Sequence, residues 1–345
     1  MIVPSVLAAV AALLAAVWYY FTRNFSYWTD RGIVSCNPFS LTGDGGGGLP
    51  FGKPFYELLT PIYQKYKGKE RFVGTFQARR PVLVPIDPEV TKAILTKDFS
   101  HFHGRGNPTD ESDPFSQNLF FLEGARWKNL RMKLSPTFTS GKLKGMFPLM
   151  SGITDQLNEA VRDKAAKADN EVEFKELLTR YSTDVIGSVA FGIDCNTVRG
   201  ESDEFYLMSR ELFSRNLLGL FRFFLVSIHP VFVKLLPFRT VFRGMTTFFL
   251  CLMKETVEYR EKNKVERNDF VQTMMQLRAE DRGRSMLDRA SHVEFNNETM
   301  AGQAFGFFLA GLDNISNTVS STALVINFHK GGYRVHKMRA WFSHR

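Results

Sequence analysis

The sequence predicts a mainly α-helical domain with a small β element near its start, preceded by one N-terminal transmembrane helix. Three observations carry this. After Pro88, apolar residues recur at three- and four-residue spacing, as in Leu177, Leu178, Tyr181, Val185, Ile186 and Val189, the pattern of helices with one buried face. Two short runs rich in Phe, Val and Leu, Phe72 to Gln77 and Pro81 to Pro85, read as strands. Met1 to Thr22 carries no charged side chain.

That uncharged segment comes first. At about 1.5 Å per residue, about 20 helical residues reach ~30 Å, the thickness of a bilayer core. Trp18, Tyr19 and Tyr20 close the run as interfacial aromatics, and Arg23 and Arg31 follow it with no Lys or Arg before. The positive-inside rule then holds the bulk of the chain in the cytosol. A cleaved secretory signal would need the basic start that is missing here.

Residues 23–50 read as a Gly-rich linker. Gly43, Gly45 and Gly48 formally match G-x-G-x-x-G, but no apolar strand precedes them and Pro50 follows, so the segment is a hinge and not a phosphate cradle. Residues 51–328 are expected to form one domain without internal repeats. A helix over Phe55 to Tyr66 and the two strands open it. Helices are expected over Glu89 to Thr96, Ala125 to Lys133, Leu143 to Ala166 and Phe174 to Phe191. Others fall within Glu204 to Phe224, Phe238 to Asn263, Asp269 to Arg278 and Glu298 to Asn327.

Composition narrows the function classes. Of 345 residues 44% are apolar and 23% charged, which excludes a disordered tail and a multi-span membrane protein. Cys36, Cys195 and Cys251 form no Cys-x-x-Cys pair, so neither a disulfide framework nor a structural zinc site of ordinary spacing is expected. The 33 Phe against 10 Tyr and 4 Trp call for an oily interior or an oily site. The balance 44 − 35 gives a net charge of +9, yet acidic residues alternate with the basic ones and no nucleic-acid signature is present. Nucleic acid is therefore not an expected partner.

Two stretches stand out chemically. Ala301 to Phe328 is the longest apolar helix, with Asn296 or Asn297 placed to cap it and Glu298 complementing its dipole. Gly302, Gly306 and Gly311 each cost about 1 kcal/mol against Ala in a helix interior, and Asp313 and Asn314 follow directly. Two readings account for them. One is a glycine-mediated close crossing with Asp313 at a wet edge; the other is a helix opened locally at Gly311 to face a ligand. In the second stretch, Trp127 and Arg131 are four apart, hence on one helix face, where indole and guanidinium can grip an anionic edge. Lys128, Lys133, Lys142 and Lys144 make a basic stripe around them.

These stretches, AGLDN (Ala310 to Asn314) and WKNLR (Trp127 to Arg131) followed by SPTFTSGKLK, resemble the cytochrome P-450 heme-thiolate monooxygenases, insect microsomal members in particular. YWTDRGI (Tyr27 to Ile33), KDFSHFHGRG (Lys97 to Gly106), NLFFLEGARW (Asn118 to Trp127), DVIGSVAFGIDCN (Asp184 to Asn196) and RNDFVQTMMQLR (Arg267 to Arg278) extend the likeness. The resemblance implies a heme enzyme on the cytosolic face of the endoplasmic reticulum membrane. Such an enzyme oxidises apolar small molecules with dioxygen and electrons from an NADPH-dependent flavoprotein reductase. By position, Trp127 and Arg131 would bind a heme propionate, Ala310 and Gly311 would border the oxygen side, and Asp313 and Asn314 would stand in the proton-delivery network. Phe102, Phe120, Phe121 and Phe307 would wall the substrate, and Lys128, Lys133, Lys142 and Lys144 would dock the reductase.

The chain also departs from the family pattern. Asn314 stands where the family usually has Thr, and an amide divides donor and acceptor between two atoms. The family's axial ligand is a Cys seven positions after a Phe; Thr29, Ser188 and Gly244 occupy that place before Cys36, Cys195 and Cys251. The thiolate favours O–O cleavage, so a truncated fold ending after the long helix is expected, inactive by itself. The alternative is a membrane-anchored protein that binds the reductase or an apolar ligand without catalysis. Phe307 and Phe308 are expected to be left exposed in such a fold. EGAR (Glu123 to Arg126) and EAVR (Glu159 to Arg162) read as helix-surface salt bridges. Residues 329–345 form a basic tail of foreign composition, and the spacing of His329, His336 and His344 does not suggest a metal site.

Overall fold

The computed structural model describes residues 2–36, 55–77, 80–106, 113–167, 173–200, 204–213, 243–282 and 293–329. The glycine run of the linker, the basic tail beyond His329 and residues 214–242, where parts of two expected helices fall, lie outside these. The chain is mainly helical with one two-stranded sheet, and its described residues divide into two compact units, one up to His103 and one from Gly104 onward.

The first unit begins with helix α1 (Ile2–Thr22). Side chains 2–5, 9 and 21 are outside the described ones, and among the described residues no helix is long and apolar enough to cross a membrane. The expected anchor therefore rests on the sequence. Helix α2 (Phe55–Tyr66) is followed by strands β1 (Phe72–Gln77) and β2 (Arg80–Pro85), antiparallel with Phe72 opposite Pro85 and Gln77 opposite Arg80. A third piece joins the sheet: Gly74 N–H donates to the Val34 carbonyl (2.9 Å) and Cys36 N–H to the Gly74 carbonyl (3.0 Å). Gly74 is required because the buried Trp28 ring lies where a Cβ would stand. Trp28 fixes itself by donating its indole N–H to the Thr75 carbonyl at 2.9 Å. Val73, Cys36 and Ile86 form a small core with Ile62, Tyr63, Tyr66 and Val84. Asp87 caps helix α3 (Pro88–Lys92) by accepting from Glu89 N–H at 2.8 Å. A wide turn over Ala93–Lys97 leads to the short helix α4 (Phe99–Phe102).

The second unit holds helices α5 (Gly124–Leu134), α6 (Ser140–Lys167), α7 (Phe174–Ile186), α8 (Glu204–Phe213), α9 (Arg243–Asn263), α10 (Phe270–Arg282) and α11 (Asn297–His329). The helix expected to run to Phe191 ends earlier: Gly187–Phe191 widens into a π-type turn closed by Gly192 at φ 72°. Phenylalanine fills the core. Phe249 meets Phe115, Phe191, Phe205, Phe305 and Phe308 at ring distances of 5.1 to 6.1 Å, and Phe115 stacks on Phe305 at 4.4 Å. Phe308 is fully buried there, which corrects the expectation that it would be exposed; Phe307 is half-buried.

Candidate functional site

Helix α11 is the axis of the site. Asn296, of the two asparagines expected to cap it, accepts from Thr299 N–H at 2.8 Å, while Asn297 Oδ1 accepts from Arg278 at 2.6 Å. Met300 to Phe305 are buried without a break, and exposed positions alternate with buried ones from Ala310 onward. The glycines then find their explanation. A Cβ at Gly302 would lie 2.5 Å from the Pro114 carbonyl oxygen, and one at Gly306 would touch Asn118 at 3.4 Å. At Gly311 it would lie 2.9 Å from Ile186 Cδ1 on α7. The helix stays continuous through Gly311, so the close-crossing reading holds and the locally opened helix does not.

The segment pressed on Gly302 and Gly306 runs from Asp113 to Leu122. Buried Gln303 stitches it to α11, accepting from Leu119 N–H (2.9 Å) and donating to the Gln117 carbonyl (3.1 Å). Asn118 shapes the turn, its Oδ1 accepting from the N–H groups of Phe120 (2.9 Å) and Phe121 (3.3 Å) and its amide donating to the Phe115 carbonyl (3.0 Å). Phe120 and Phe121 are thereby held edge to face at 5.2 Å, with the Arg105 guanidinium 4.3 Å over Phe120, which is 49% exposed. Phe307 has other neighbours: its ring meets Phe270 at 4.3 Å and Phe138 at 5.3 Å. Phe102 is exposed on α4 of the first unit.

On α5, Leu130 and Leu134 are buried, Trp127 is half-buried against the main core and Arg131 is exposed, four residues further on the same face. The expected Glu123–Arg126 pair is not formed. Glu123 instead accepts from Gly106 N–H at 2.6 Å, and Arg126 donates to Gln117 Oε1 at 2.7 Å. Among the described residues Glu159 and Arg162 make no ion pair either. The four lysines separate. Lys128, Lys142 and Lys144 are exposed, whereas Lys133 turns inward to both oxygens of Asp281 (2.7 and 2.8 Å) and the Val293 carbonyl (3.1 Å).

Asp313 is half-exposed and pairs with Lys175 of α7 at 3.4 Å, and the same ammonium reaches Ser316 (3.3 Å) and Asn317. Asn314 is exposed and donates to its own helix, Nδ2 to the Ala310 carbonyl at 2.7 Å. Sequence reasoning missed Lys175, Gln303 and Asn118. Gln303 left a trace, a lone polar residue between Gly302 and Gly306 in an apolar run.

A small sheet, a phenylalanine-filled helical core, a glycine-bearing long helix and a Trp–Arg face on α5 together match the heme-thiolate monooxygenase class that the motifs resemble. The family model described as Cytochrome P450 matches residues 47–326. The chain is 36% identical to "Cytochrome P450 6A1" of Musca domestica over 89% of its own length and 59% of that protein's. It is 35% identical to "Cytochrome P450 6a2" of Drosophila melanogaster over 91% and 62%, and 33% identical to "Cytochrome P450 6k1" of Blattella germanica over 92% and 62%. The chain belongs to the cytochrome P450 family, and it spans about 59 to 62% of the length of these relatives.

The family's cofactor is heme, and the donors present fit part of it. An exposed guanidinium on the same helix face as an indole suits a carboxylate edge, and Ala310 is exposed on α11, whereas Gly311 is pressed on Ile186 of α7. The axial sulfur is another matter. Cys36 and Cys195 are buried, a Cβ at Gly187 would lie 2.7 Å from the Cys195 sulfur, and Cys251 lies exposed on α9. None stands in the Phe-containing loop that the family uses.

Proposed function

We propose that these residues serve a heme monooxygenase that oxidises apolar small molecules, xenobiotic or lipid-like. Heme, when bound, supplies the activation of dioxygen. Trp127 and Arg131 hold its propionate edge, Ala310 and Gly311 border the oxygen side, and Asp313 belongs to the proton-delivery network, which the amide of Asn314 weakens. Phe120 and Phe121 offer apolar wall, with Phe102 and Phe307 as further candidates. The observation that carries this reading is that Trp127, half-buried against the core beside Leu130 and Leu134, shares a helix face with the exposed Arg131. Electrons come from an NADPH-dependent flavoprotein reductase, and residues 1–22 anchor the chain in the endoplasmic reticulum membrane with its bulk in the cytosol. Because none of the three cysteines fits the axial position, the 345 residues by themselves do not turn over.

Titration of the purified chain with ferric protoporphyrin IX tests this. Saturable binding that Arg131→Ala weakens is expected, with no thiolate-type band after reduction and carbon monoxide. Binding indifferent to Arg131 rejects the propionate assignment, and a thiolate band rejects the inactivity. Carbonate-resistant membrane association lost on deleting residues 1–22 tests the anchor.

A second reading is favoured by the exposure of Lys128, Lys142 and Lys144: a non-catalytic membrane-anchored protein that binds the reductase. Reversing the charges of Lys142 and Lys144 then abolishes salt-sensitive reductase binding; unchanged binding ends that reading.

A further inference from the structure

We propose that Lys133 is a positioning residue that sets the roll of α5 and so the aim of Trp127 and Arg131, an inference that rests on the propionate reading above. At about 100° per residue, Lys133 and Arg131 lie roughly 80° to either side of the Leu130–Leu134 stripe. Those two leucines are fully buried. They fix how deeply the helix sits, but apolar contact is non-directional and leaves rotation about the helix axis weakly set. The Lys133 ammonium supplies the missing direction. All three of its protons have acceptors, Asp281 Oδ1 at 2.7 Å, Oδ2 at 2.8 Å and the Val293 carbonyl at 3.1 Å. The Phe295 ring lies 5.6 Å from the same nitrogen. Lysine and aspartate side chains are only 20% and 11% exposed, so the pair is shielded from the screening that weakens surface bridges.

The far end of this tie is itself held. Asp281 lies on α10, whose Arg278 is buried and donates to Asn297 at the first residue of α11 and to Glu261 on α9. Helix α10 is therefore tied by polar contacts to the start of α11 and to α9 through Arg278, and to α5 through Asp281. Lys133 belongs to these ties and not to the exposed stripe of Lys128, Lys142 and Lys144.

The test uses the full chain and two probes, ferric protoporphyrin IX and its dimethyl ester, which lacks the propionate charges. Lys133→Met is expected to weaken binding of the free acid about tenfold, the size of one mis-set charge-assisted hydrogen bond. Binding of the ester stays unchanged. In an Arg131→Ala background, Lys133→Met adds no further loss, because the group it aims is gone. Lys133→Arg, which keeps the charge and offers donors to both oxygens of Asp281, retains native affinity, and Asp281→Asn reproduces the Lys133→Met loss from the other side. Equal weakening for acid and ester shows a merely structural residue and overturns the proposal. Free-acid affinity that falls in Arg131→Ala but not in Lys133→Met overturns it while leaving the propionate reading standing. Indifference to Arg131→Ala removes that reading and this proposal with it. Should Lys133→Met fail to fold, Asp281→Asn and Lys133→Arg decide by the same two probes.

Discussion

Gly302 of α11 faces the carbonyl oxygen of Pro114 so closely that a Cβ there would lie 2.5 Å from it. One turn on, Gly306 leaves ordinary contact distance to Asn118 at 3.4 Å. The two glycines should therefore respond oppositely to the same change. Ala gains about 1 kcal/mol of helix propensity at either site. At Gly302 the clash is with backbone, and overpacking of about 1–3 kcal/mol outweighs the gain. Gly302→Ala is expected to lower the urea midpoint and Gly306→Ala to hold or raise it. Equal effects would mean that the segment is not pressed on the helix.

Asp184 is buried at the end of α7 and holds the short turn Thr197–Arg199. Its Oδ1 accepts from the Thr197 N–H (2.9 Å) and hydroxyl (2.7 Å), and its Oδ2 from the Val198 N–H (2.9 Å). Asn carries an acceptor on one side only, so Asp184→Asn leaves a buried donor unmatched. The expected loss is about 1–3 kcal/mol, read from chemical denaturation. A loss no greater than that of an exposed Asp→Asn change would show that the carboxylate does not organise the turn.

Much of this fold was legible in the sequence because it depends on local period. Helix α2 and strand β1 occupy the residues that their apolar spacing indicates, and α5, α6 and α11 differ by a few residues at their ends. The Trp127–Arg131 face was readable for the same reason, since four-residue spacing alone puts both on one side. What was not legible depends on partners far along the chain. Lys133 looks like Lys128 until Asp281, 148 residues away, draws it inward. The meaning of Gly302 and Gly311 lies in Pro114 and Ile186. The excess of Phe pointed equally to core and site, and only packing divides Phe308 from Phe120.

The bridge between Lys175 and Asp313 spans α7 and α11 in the open, with side chains 43% and 50% exposed. Solvent screening holds such pairs to about 1 kcal/mol or less. Lys175→Met and Asp313→Asn are each expected to shift the thermal midpoint only slightly, leaving Asp313 replaceable for functional tests. A large shift would place Asp313 among the residues that hold α11 on α7.

Arg260 and Asp269 form the opposite case, with side chains 3% and 0% exposed and paired twice, at 2.9 and 2.5 Å. Gly192, at φ 72°, is required beside them because Arg260 occupies the place of its Cβ. Asp269 also accepts from Gln272 N–H at 2.9 Å in the first turn of α10. Removing Arg260 leaves the buried Asp269 with only the longer contact to Arg267 Nε at 3.7 Å, so Arg260→Met is expected to cost about 3–5 kcal/mol. Adding Asp269→Asn removes the stranded charge while keeping an oxygen for Gln272. The double variant should therefore be more stable than Arg260→Met alone, measured as a coupling free energy in a denaturation cycle. Additive losses would show that the two side chains are not a desolvated pair, because only a charge left without its partner in a dry interior makes the second substitution favourable.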